Sequence, residues 1–339
     1  MKLSRLFAIL SLLALSPVAF AADEFKPIVL EGKDGAGKGK HVVLISGDQE
    51  YRSEEAIAQL AKILAERHGF KCTVLFTTDP KTGTVNPNIN NIQGLEALKT
   101  ADLMVIFTRF LDLPDDQMKH IAEYLAAGKP VVGLRTSTHA FNIGGGKTYS
   151  RFSWGSKDKG FEGGFGKQVL GETWVAHHGN HGKEGTRGKF TEAGAKSPIL
   201  KGIKDGEVFG TTDVYTAKPP SESAILLMGE VTETLKPESA AVTGKKNDPM
   251  MPVAWTKPYK LNEGKEGHAF CTTMGASQDL EFEATRRMIV NGCYWAAGLE
   301  AKIPDKSDVA LVGDYKPTPF RFRDAKSWSP GMTPAEYFK

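Results

Sequence analysis

Short apolar runs alternate with amphipathic segments over the first half of the chain. Four apolar runs have the composition of buried strands, at residues 41–46, 71–77, 103–107 and 130–134. Apolar residues recur at helical spacing from Ser53 to about His68 and again from Asp115 to Gly128. This alternation of strands and helices predicts an α/β fold with a mostly parallel sheet and helices on both faces.

The second half of the chain is less regular. Glycines and aromatic residues dominate residues 144–165, and we expect an irregular glycine-rich insertion there. Further strands are expected near residues 167–176, 207–209, 224–228, 252–255 and 268–272, followed by a helix over 280–298. Residues 301–339 contain several prolines and predict an extended C-terminal tail lying across the surface.

The N-terminus has the three-part pattern of a secretory signal peptide. Lys2 and Arg5 precede an apolar core over residues 6–15, and small residues lead to Ala21. We therefore expect a signal peptide over residues 1–21, cleavage near Ala21 and export to the periplasm or the extracellular space. Residues 22–40, rich in Gly and Lys, are expected to be a leader to one domain over residues 41–300.

The net charge and the apolar runs indicate which kind of molecule the protein binds, and the cysteines indicate whether it contains disulfides. The formal net charge of +3 falls to about +1 when Lys2 and Arg5 leave with the signal peptide, which argues against nucleic acid as a partner. No later apolar run is long enough for a membrane span, so a small molecule is the expected partner. Cys72, Cys271 and Cys293 lie in apolar contexts and indicate buried thiols, or at most one disulfide with one spare thiol.

Polar residues cluster where the predicted strands end. Residues 135–139, Arg-Thr-Ser-Thr-His, follow directly on the apolar run 130–134. Ligands of open α/β sheets bind beyond the carboxyl ends of the strands, and side chains there and in the later loops are candidates to bind a ligand: Glu50, Tyr51, Arg52, Arg109, Thr136, Phe141, Asp213, Tyr215 and Trp255. Alternatively, Thr136 and Thr138 only cap a helix, Arg135 only pairs with a carboxylate, and Asp213 only caps a turn.

Three histidines form a second candidate group, at positions 177, 178 and 181. Neighbouring residues of an extended segment point to opposite sides, so His177 and His178 are not expected to bind the same ion. His178 and His181 could bind a divalent metal together, with His139, Asp48, Glu50 or Asp213 as further donors. The favoured interpretation has no cofactor and uses the histidines as hydrogen-bonding or acid–base groups. Loop histidines without a function are the remaining alternative.

Four stretches of the chain together resemble a known family. They are the strand end Gly133-Leu134, PVAWTK at 252–257, HAFCTTMG at 268–275 and NGCYWAAGLE at 291–300. They are similar to secreted members of the ThuA-like (trehalose utilisation) family, and the resemblance covers residues 41–300. It implies the flavodoxin-like fold of class I glutamine amidotransferases and a ligand such as a disaccharide or its keto derivative.

The chain departs from the amidotransferase pattern at the position that matters most. Those enzymes have a nucleophilic cysteine directly after the strand that ends here at Leu134, and this chain has Arg135. A guanidinium has no free lone pair, so amidotransferase activity is not expected. Three hypotheses remain: an enzyme with His139 or His178 as proton carrier and Arg135 polarising an oxygen, a metal-dependent hydrolase using His178 and His181, and a non-catalytic sugar-binding protein.

Overall fold

A computed structural model describes residues 26–262, 264–323, 325–328 and 331–339. The predicted signal peptide, residues 1–21, lies outside the described residues. In the described part of the chain, no helix combines the length and the apolar character that crossing a membrane requires.

Five strands and two long helices form the N-terminal half. The strands are β1 (Ile28–Leu30), β2 (His41–Gly47), β3 (Lys71–Phe76), β4 (Leu103–Thr108) and β5 (Val131–Leu134). The helices are α1 (Ser53–His68) and α2 (Asp115–Ala126). Two predicted helices are thus confirmed to within two residues at each end.

The C-terminal half adds five strands and two helices. They are, in chain order, β6 (Gly185–Phe190), α3 (Glu192–Lys196), β7 (Phe209–Gly210), β8 (Ala224–Thr232), β9 (Met251–Lys260), β10 (Glu266–Thr272) and α4 (Glu283–Ala296). Beyond α4 the described residues contain short 3-10 turns at Glu300–Lys302, Ala325–Trp328 and Pro334–Phe338.

The strands form one sheet in the order β1-β3-β2-β4-β5-β10-β9-β8-β6-β7. The central strands β3, β2, β4, β5 and β10 are parallel, while β1 and the strands from β9 onward pair antiparallel. The order of the parallel strands is the flavodoxin-like order. The prediction of a flavodoxin-like α/β fold is confirmed, with an antiparallel extension on one side.

Both faces of the parallel strands are covered, as their continuous apolar sequences require. On β2, Val42 and Leu44 face a core shared with α1 and α4. Val43 and Ile45, one position along, face a second core shared with α2. Alternation along a strand thus sends successive apolar side chains into two different cores.

Local chemistry explains where α1 begins and ends. Glu54 and Glu55 lie in its first turn, where the helix dipole favours negative charge. Gly69 ends the helix with a φ of 78°, a left-handed conformation that glycine adopts without steric cost. The helix start fixes the position of the turn that links β2 to α1.

Two predictions about local structure are wrong. Residues 26–40 are more than a leader, because Ile28–Leu30 joins the sheet as an antiparallel edge strand beside β3. Residues 167–176 do not form a strand, since a π-helical turn occupies Gly166–Leu170. A Cβ on Gly166 would lie 1.9 Å from the Thr138 carbonyl oxygen, so the turn packs closer to the backbone of residues 135–139 than a strand would.

The cysteines are all free and buried. Cys72 lies on β3, Cys271 on β10 and Cys293 on α4. Burial raises the pKa of the Cys293 thiol to about 12 because the thiolate loses its hydration. The alternative of three buried thiols is therefore the one that the structure supports, and none has the character of an activated nucleophile.

Candidate functional site

The carboxyl ends of β2, β4 and β5 meet at one edge of the sheet. The loop after β2 carries residues 48–51, the loop after β4 carries 109–110, and a 3-10 turn after β5 carries 135–139. The chain runs from β2 outward to β3 on one side and then to β4 on the other. This reversal opens a crevice between neighbouring connections, and residues 174–181 and 213–215 close over it.

Arg135 is the centre of this edge. Its backbone φ is 42°, a strained left-handed conformation for a residue with a side chain, and its side chain is fully buried. Nη1 donates to the backbone oxygens of Asp213 at 2.7 Å and Thr273 at 2.8 Å. Nη2 donates to Asp213 Oδ1 at 2.9 Å and to the Tyr51 hydroxyl at 3.0 Å. These bonds occupy Nη1 and Nη2, while Nε is buried without a hydrogen-bond partner, and burial makes the whole guanidinium inaccessible to a ligand.

Three side chains donate hydrogen bonds to the buried carboxylate of Asp213. Besides Arg135, His181 Nδ1 lies 3.2 Å from Oδ1 and His177 Nδ1 lies 2.7 Å from Oδ2. Burial alone would raise the pKa of Asp213, but the hydrogen bonds from His177 and His181 and the charge of Arg135 outweigh it and hold the pKa well below its usual range. Asp213 therefore stays ionised and orients both imidazoles.

His181 lies between two carboxylates. Its Nδ1 faces Asp213, and its Nε2 lies 3.0 Å from Glu50 Oε1. The hydrogen bonds to Asp213 and Glu50 raise the pKa of His181 to about 9. At neutral pH the metal-free site therefore contains an imidazolium at this position, and both of its nitrogens act as donors.

His177 has one nitrogen held and one free. Its Nδ1 donates to Asp213, while Nε2 forms no hydrogen bond with any other residue that the structure describes. The side chain is 35% exposed, and the ring lies 5.7 Å from that of Trp174 and 5.5 Å from that of Tyr215. The arrangement is that of a histidine whose tautomer is set by a carboxylate and whose second nitrogen is presented to a ligand.

A small hollow lies in front of His177. It has room for roughly one water molecule, about 20 Å³, and its walls are formed by seven side chains: Glu50, Arg109, Phe110, His139, Trp174, His177 and Tyr215. The His139 ring is almost wholly buried, and burial together with the nearby charges of Arg109 and Arg135 holds its pKa well below the usual range. His139 is therefore a neutral hydrogen-bonding group at neutral pH.

Seven of the residues predicted from the sequence come together at this edge. They are Glu50, Tyr51, Arg109, Arg135, His139, Asp213 and Tyr215. Thr136 lies beside them and donates to Asp48 Oδ2 at 2.6 Å. Asp48, considered above as a metal donor, instead accepts from the backbone N–H groups of Glu50 and Tyr51 and shapes the turn after β2.

Four predicted residues lie elsewhere. Arg52 pairs with Glu54 and Glu55. Phe141 packs on Phe165 in the core, and the Trp255 indole is buried and donates to the Leu170 carbonyl. His178 turns away from the hollow, and its Nε2 bonds to the Lys246 carbonyl at 2.8 Å. The pairing of His178 with His181 is therefore wrong, and His177 takes that place.

The structure adds residues that the sequence argument did not select. Alternation of side chains along an extended segment correctly predicted that His177 and His178 point to opposite sides. It did not show which of them faces the sheet edge, because that depends on the register of the β-bridge between His177 and Tyr215. Trp174 and Phe110 both line the hollow. The sequence offered one signal for these two wall residues, which is an aromatic residue close to a predicted polar motif. Phe110 directly follows Arg109, and Trp174 lies shortly before His177.

Sequence comparison assigns the chain to a family. Residues 41–296 match ThuA, described as trehalose utilisation, which covers well over half of the chain. The chain belongs to the ThuA family. Among curated proteins, no sequence matches it significantly.

Solved structures add two distant similarities. A ThuA-like protein from Parabacteroides merdae is 13% identical, with a TM-score of 0.48, and the alignment covers 84% of this chain and 98% of that one. The N-terminal domain of mmIFT52 is 12% identical, with a TM-score of 0.35, and the alignment covers 75% of this chain and 96% of that one. The assignment to the ThuA family rests on the match over residues 41–296.

Substitution of Arg135 should destabilise the protein strongly. Arg135→Met leaves the Asp213 carboxylate buried without its main cation, and loss of one partner of such a pair costs about 3–5 kcal/mol. We expect a loss of that size in the free energy of unfolding measured with urea. The double variant Arg135→Met/Asp213→Asn should lose less free energy of unfolding than the sum of the losses in the two single variants. Strict additivity would contradict the proposed dependence of buried Asp213 on Arg135.

His181 should make the stability of the metal-free protein depend on pH. Its pKa rises from about 6.5 in the unfolded chain to about 9 in the fold, so the stabilisation is complete below pH 6.5 and is lost as the pH rises through 9. We expect the free energy of unfolding to fall over this range by more in the wild type than in His181→Gln. His178→Gln should keep the wild-type dependence, and an unchanged slope in His181→Gln would contradict the assignment.

Proposed function

We propose that this ThuA-family protein binds a disaccharide or keto-sugar at the mouth of the hollow beside His177 and acts on it by acid–base chemistry. The observation that carries the proposal is the 2.7 Å hydrogen bond from His177 Nδ1 to Asp213, which leaves the other nitrogen of a ring that lines the hollow without a partner among the described residues. The description of the family, trehalose utilisation, supports a carbohydrate ligand.

His177 replaces the two histidines favoured by the sequence argument as the proton carrier. Asp213 holds the proton on Nδ1, so the lone pair of the neutral ring lies on Nε2 and is available to accept a proton from the ligand. His139 has a lowered pKa because of its burial and serves better as a neutral hydrogen-bonding partner. Arg135 positions Asp213 instead of polarising a ligand oxygen.

Aromatic rings on and next to the walls of the hollow suit a sugar bound at its mouth. Trp154 lies 5.4 Å from Phe110 and 6.1 Å from Trp174, measured between ring centroids, and flat aromatic faces pack against the C–H surfaces of sugar rings. Arg109 has spare hydrogen-bond donors, since its side chain makes only a 3.4 Å bond to Gln49 among the described residues and lies 3.5 Å from a Glu50 oxygen. It can therefore bind a ligand oxygen.

These roles define a reaction for a keto-sugar. His177 Nε2 takes a proton from the carbon next to the carbonyl; the electron pair of the broken C–H bond forms a carbon–carbon double bond, and the π pair of the carbonyl moves to its oxygen. Arg109 stabilises the negative charge on that oxygen. Return of the proton from His177 to the former carbonyl carbon, with the hydroxyl proton of the neighbouring carbon passing to the other oxygen, gives an isomer. Alternatively, the oxygen re-forms the carbonyl while a substituent on the next carbon leaves with its bonding electrons and takes the proton from His177, which gives cleavage and leaves a carbon–carbon double bond.

Arg135 also supports the relationship to class I glutamine amidotransferases. It has a positive φ directly after β5, as a nucleophile on a strained turn does. An arginine there, together with three buried thiols elsewhere, supports the absence of amidotransferase activity. The N-terminal pattern of residues 1–21 supports export, and the near-balanced charge supports a small carbohydrate, not nucleic acid or membrane, as partner.

Screening the protein without residues 1–21 against disaccharides and their 3-keto derivatives, with products identified by mass spectrometry and NMR, tests the proposal. His177→Gln should lower kcat by about 10²–10⁴-fold, as expected for loss of a general base. His178→Gln is the matched control, because that ring contacts a backbone carbonyl away from the hollow, and it should retain wild-type turnover. Equal losses in both variants, or sugar binding without any product, would refute the acid–base mechanism.

A metal-dependent hydrolase is the second candidate, and one observation favours it. Donor atoms of His177, His181 and Asp213 lie within 4.8 Å of one another. Two imidazoles and a carboxylate with one open position match a catalytic zinc site. Glu50 would accept from the other nitrogen of His181, as carboxylates beside metal-bound histidines do. This set replaces the His178 and His181 pair proposed from the sequence.

Metal analysis separates the two candidates. If the protein is a metal-dependent hydrolase, the purified and dialysed protein should contain about one equivalent of a transition metal, and Asp213→Asn should reduce this strongly. A chelator should abolish turnover, and the metal should restore it. Full turnover by protein shown to be free of metal would exclude this candidate and leave the acid–base mechanism.

A further inference from the structure

The C-terminal segment 315–323 lies outside the part of the chain that matches the ThuA family, residues 41–296, yet it forms part of the site. The Arg321 backbone N–H donates to the Glu50 carbonyl oxygen at 2.9 Å. The Thr318 backbone N–H and hydroxyl each donate to the Glu55 carboxylate at 2.9 Å. These bonds attach the segment to the loop between β2 and α1, which carries Glu50 and Tyr51 of the site, and to the first turn of α1.

Phe320 seats the segment against the buried cluster. Its ring stacks on Tyr51, with 5.2 Å between centroids and 28° between planes. It also lies 5.2 Å from the ring of His181. Phe320 is half-buried, so it packs as a structural anchor and shields one face of His181 from solvent.

Phe322, two residues further on, has a different environment. It is 62% exposed, one of a few large apolar side chains in the described residues with so much free surface. Its ring lies 4.8 Å from the Arg109 guanidinium, which has Phe110 on another side at 4.7 Å. The backbone hydrogen bond of Arg321 holds this exposed ring beside a residue that lines the hollow.

An exposed aromatic ring held at the entrance of a polar hollow has the features of a sugar-stacking platform. Aromatic rings offer an apolar face to the C–H surface of a pyranose, and the neighbouring Arg109 offers donors to its hydroxyl groups. The hollow itself has room for about one water molecule, so only a single group of the ligand, such as a carbonyl or hydroxyl oxygen, enters it. The ring that carries this group lies at its mouth, and the second ring of a disaccharide lies further out, on the side where Phe322 is exposed.

We propose that Phe322 is a substrate-contacting residue that binds the second ring of a disaccharide and gives this protein its preference for disaccharides over monosaccharides. Phe320 is the positioning residue that holds the segment in place. This inference rests on the proposed function, since it concerns the ligand of the same hollow. It assigns a specificity role to residues outside the family region.

The test compares trehalose with glucose, and 3-keto-trehalose with 3-keto-glucose, as ligands of the wild type and of Phe322→Ala. We expect Phe322→Ala to raise Kd or KM for the disaccharides about 5–10-fold, to change the monosaccharides less than about 2-fold and to leave kcat nearly unchanged. Phe322→Trp should restore the wild-type values. Met332→Ala removes another exposed side chain of the tail and should have no effect.

The outcomes distinguish this inference from the proposed function. If the wild type turns over the disaccharide, His177→Gln loses kcat and Phe322→Ala changes nothing, the inference is wrong and the proposed function stands. The inference is also wrong if Phe322→Ala raises KM by the same factor for the disaccharide and for the monosaccharide, because the effect would then not involve a second ring. If the wild type neither binds nor converts any of the four sugars, both proposals are wrong.

Discussion

The site depends on one buried ion pair, between Arg135 and Asp213. Both side chains are inaccessible to solvent, and removing two charges from water costs several kcal/mol for each ion. The fold compensates with backbone oxygens from Asp213 and Thr273 and with the faces of two tyrosines, Tyr215 at 3.8 Å and Tyr51 at 4.5 Å from the guanidinium. The pair is thus held by groups from three separate parts of the chain, at residues 51, 213–215 and 273.

This pair determines the state of the two histidines that face solvent. Asp213 remains a carboxylate because Arg135 and the imidazoles stabilise its charge, and it then bonds to His177 on one oxygen and His181 on the other. One histidine is charged and locked between carboxylates, while the other keeps a free nitrogen. A single buried acid therefore assigns two different roles to chemically identical side chains.

The sequence was sufficient to predict the features that depend on local pattern. The strands β2 to β5, the helices α1 and α2 and the location of the site at the carboxyl edge all follow from periodicity and from the geometry of parallel sheets. The β6 strand, GTRGKF, was not predicted because its glycines and basic residues lack strand character. Its place depends on pairing with β8, which lies about forty residues further along the chain.

Residue roles in the site were harder to predict, because they depend on long-range contacts. Arg135 was correctly placed at the edge, but its burial follows from Asp213, 78 residues away. Trp255 ends a strand in sequence terms, yet it lies in the middle of β9 (Met251–Lys260) and its side chain is buried in the core. Whether a side chain lies at a strand end or in the core requires the bounds and the pairing of the strand, and apolar periodicity alone does not contain them.

The backbone at Arg135 shows how the site retains its geometry. A left-handed φ costs about 1–3 kcal/mol for a residue with a side chain. A small residue would relieve that strain, yet the chain has the large, charged Arg135 at this position. The side chain makes the strain tolerable, since its four donor contacts and the backbone bond from its N–H to the Met274 carbonyl at 3.1 Å fix the turn from both sides. The turn after β5 therefore orients a carboxylate, and this carboxylate in turn holds the histidine that keeps a free ring nitrogen.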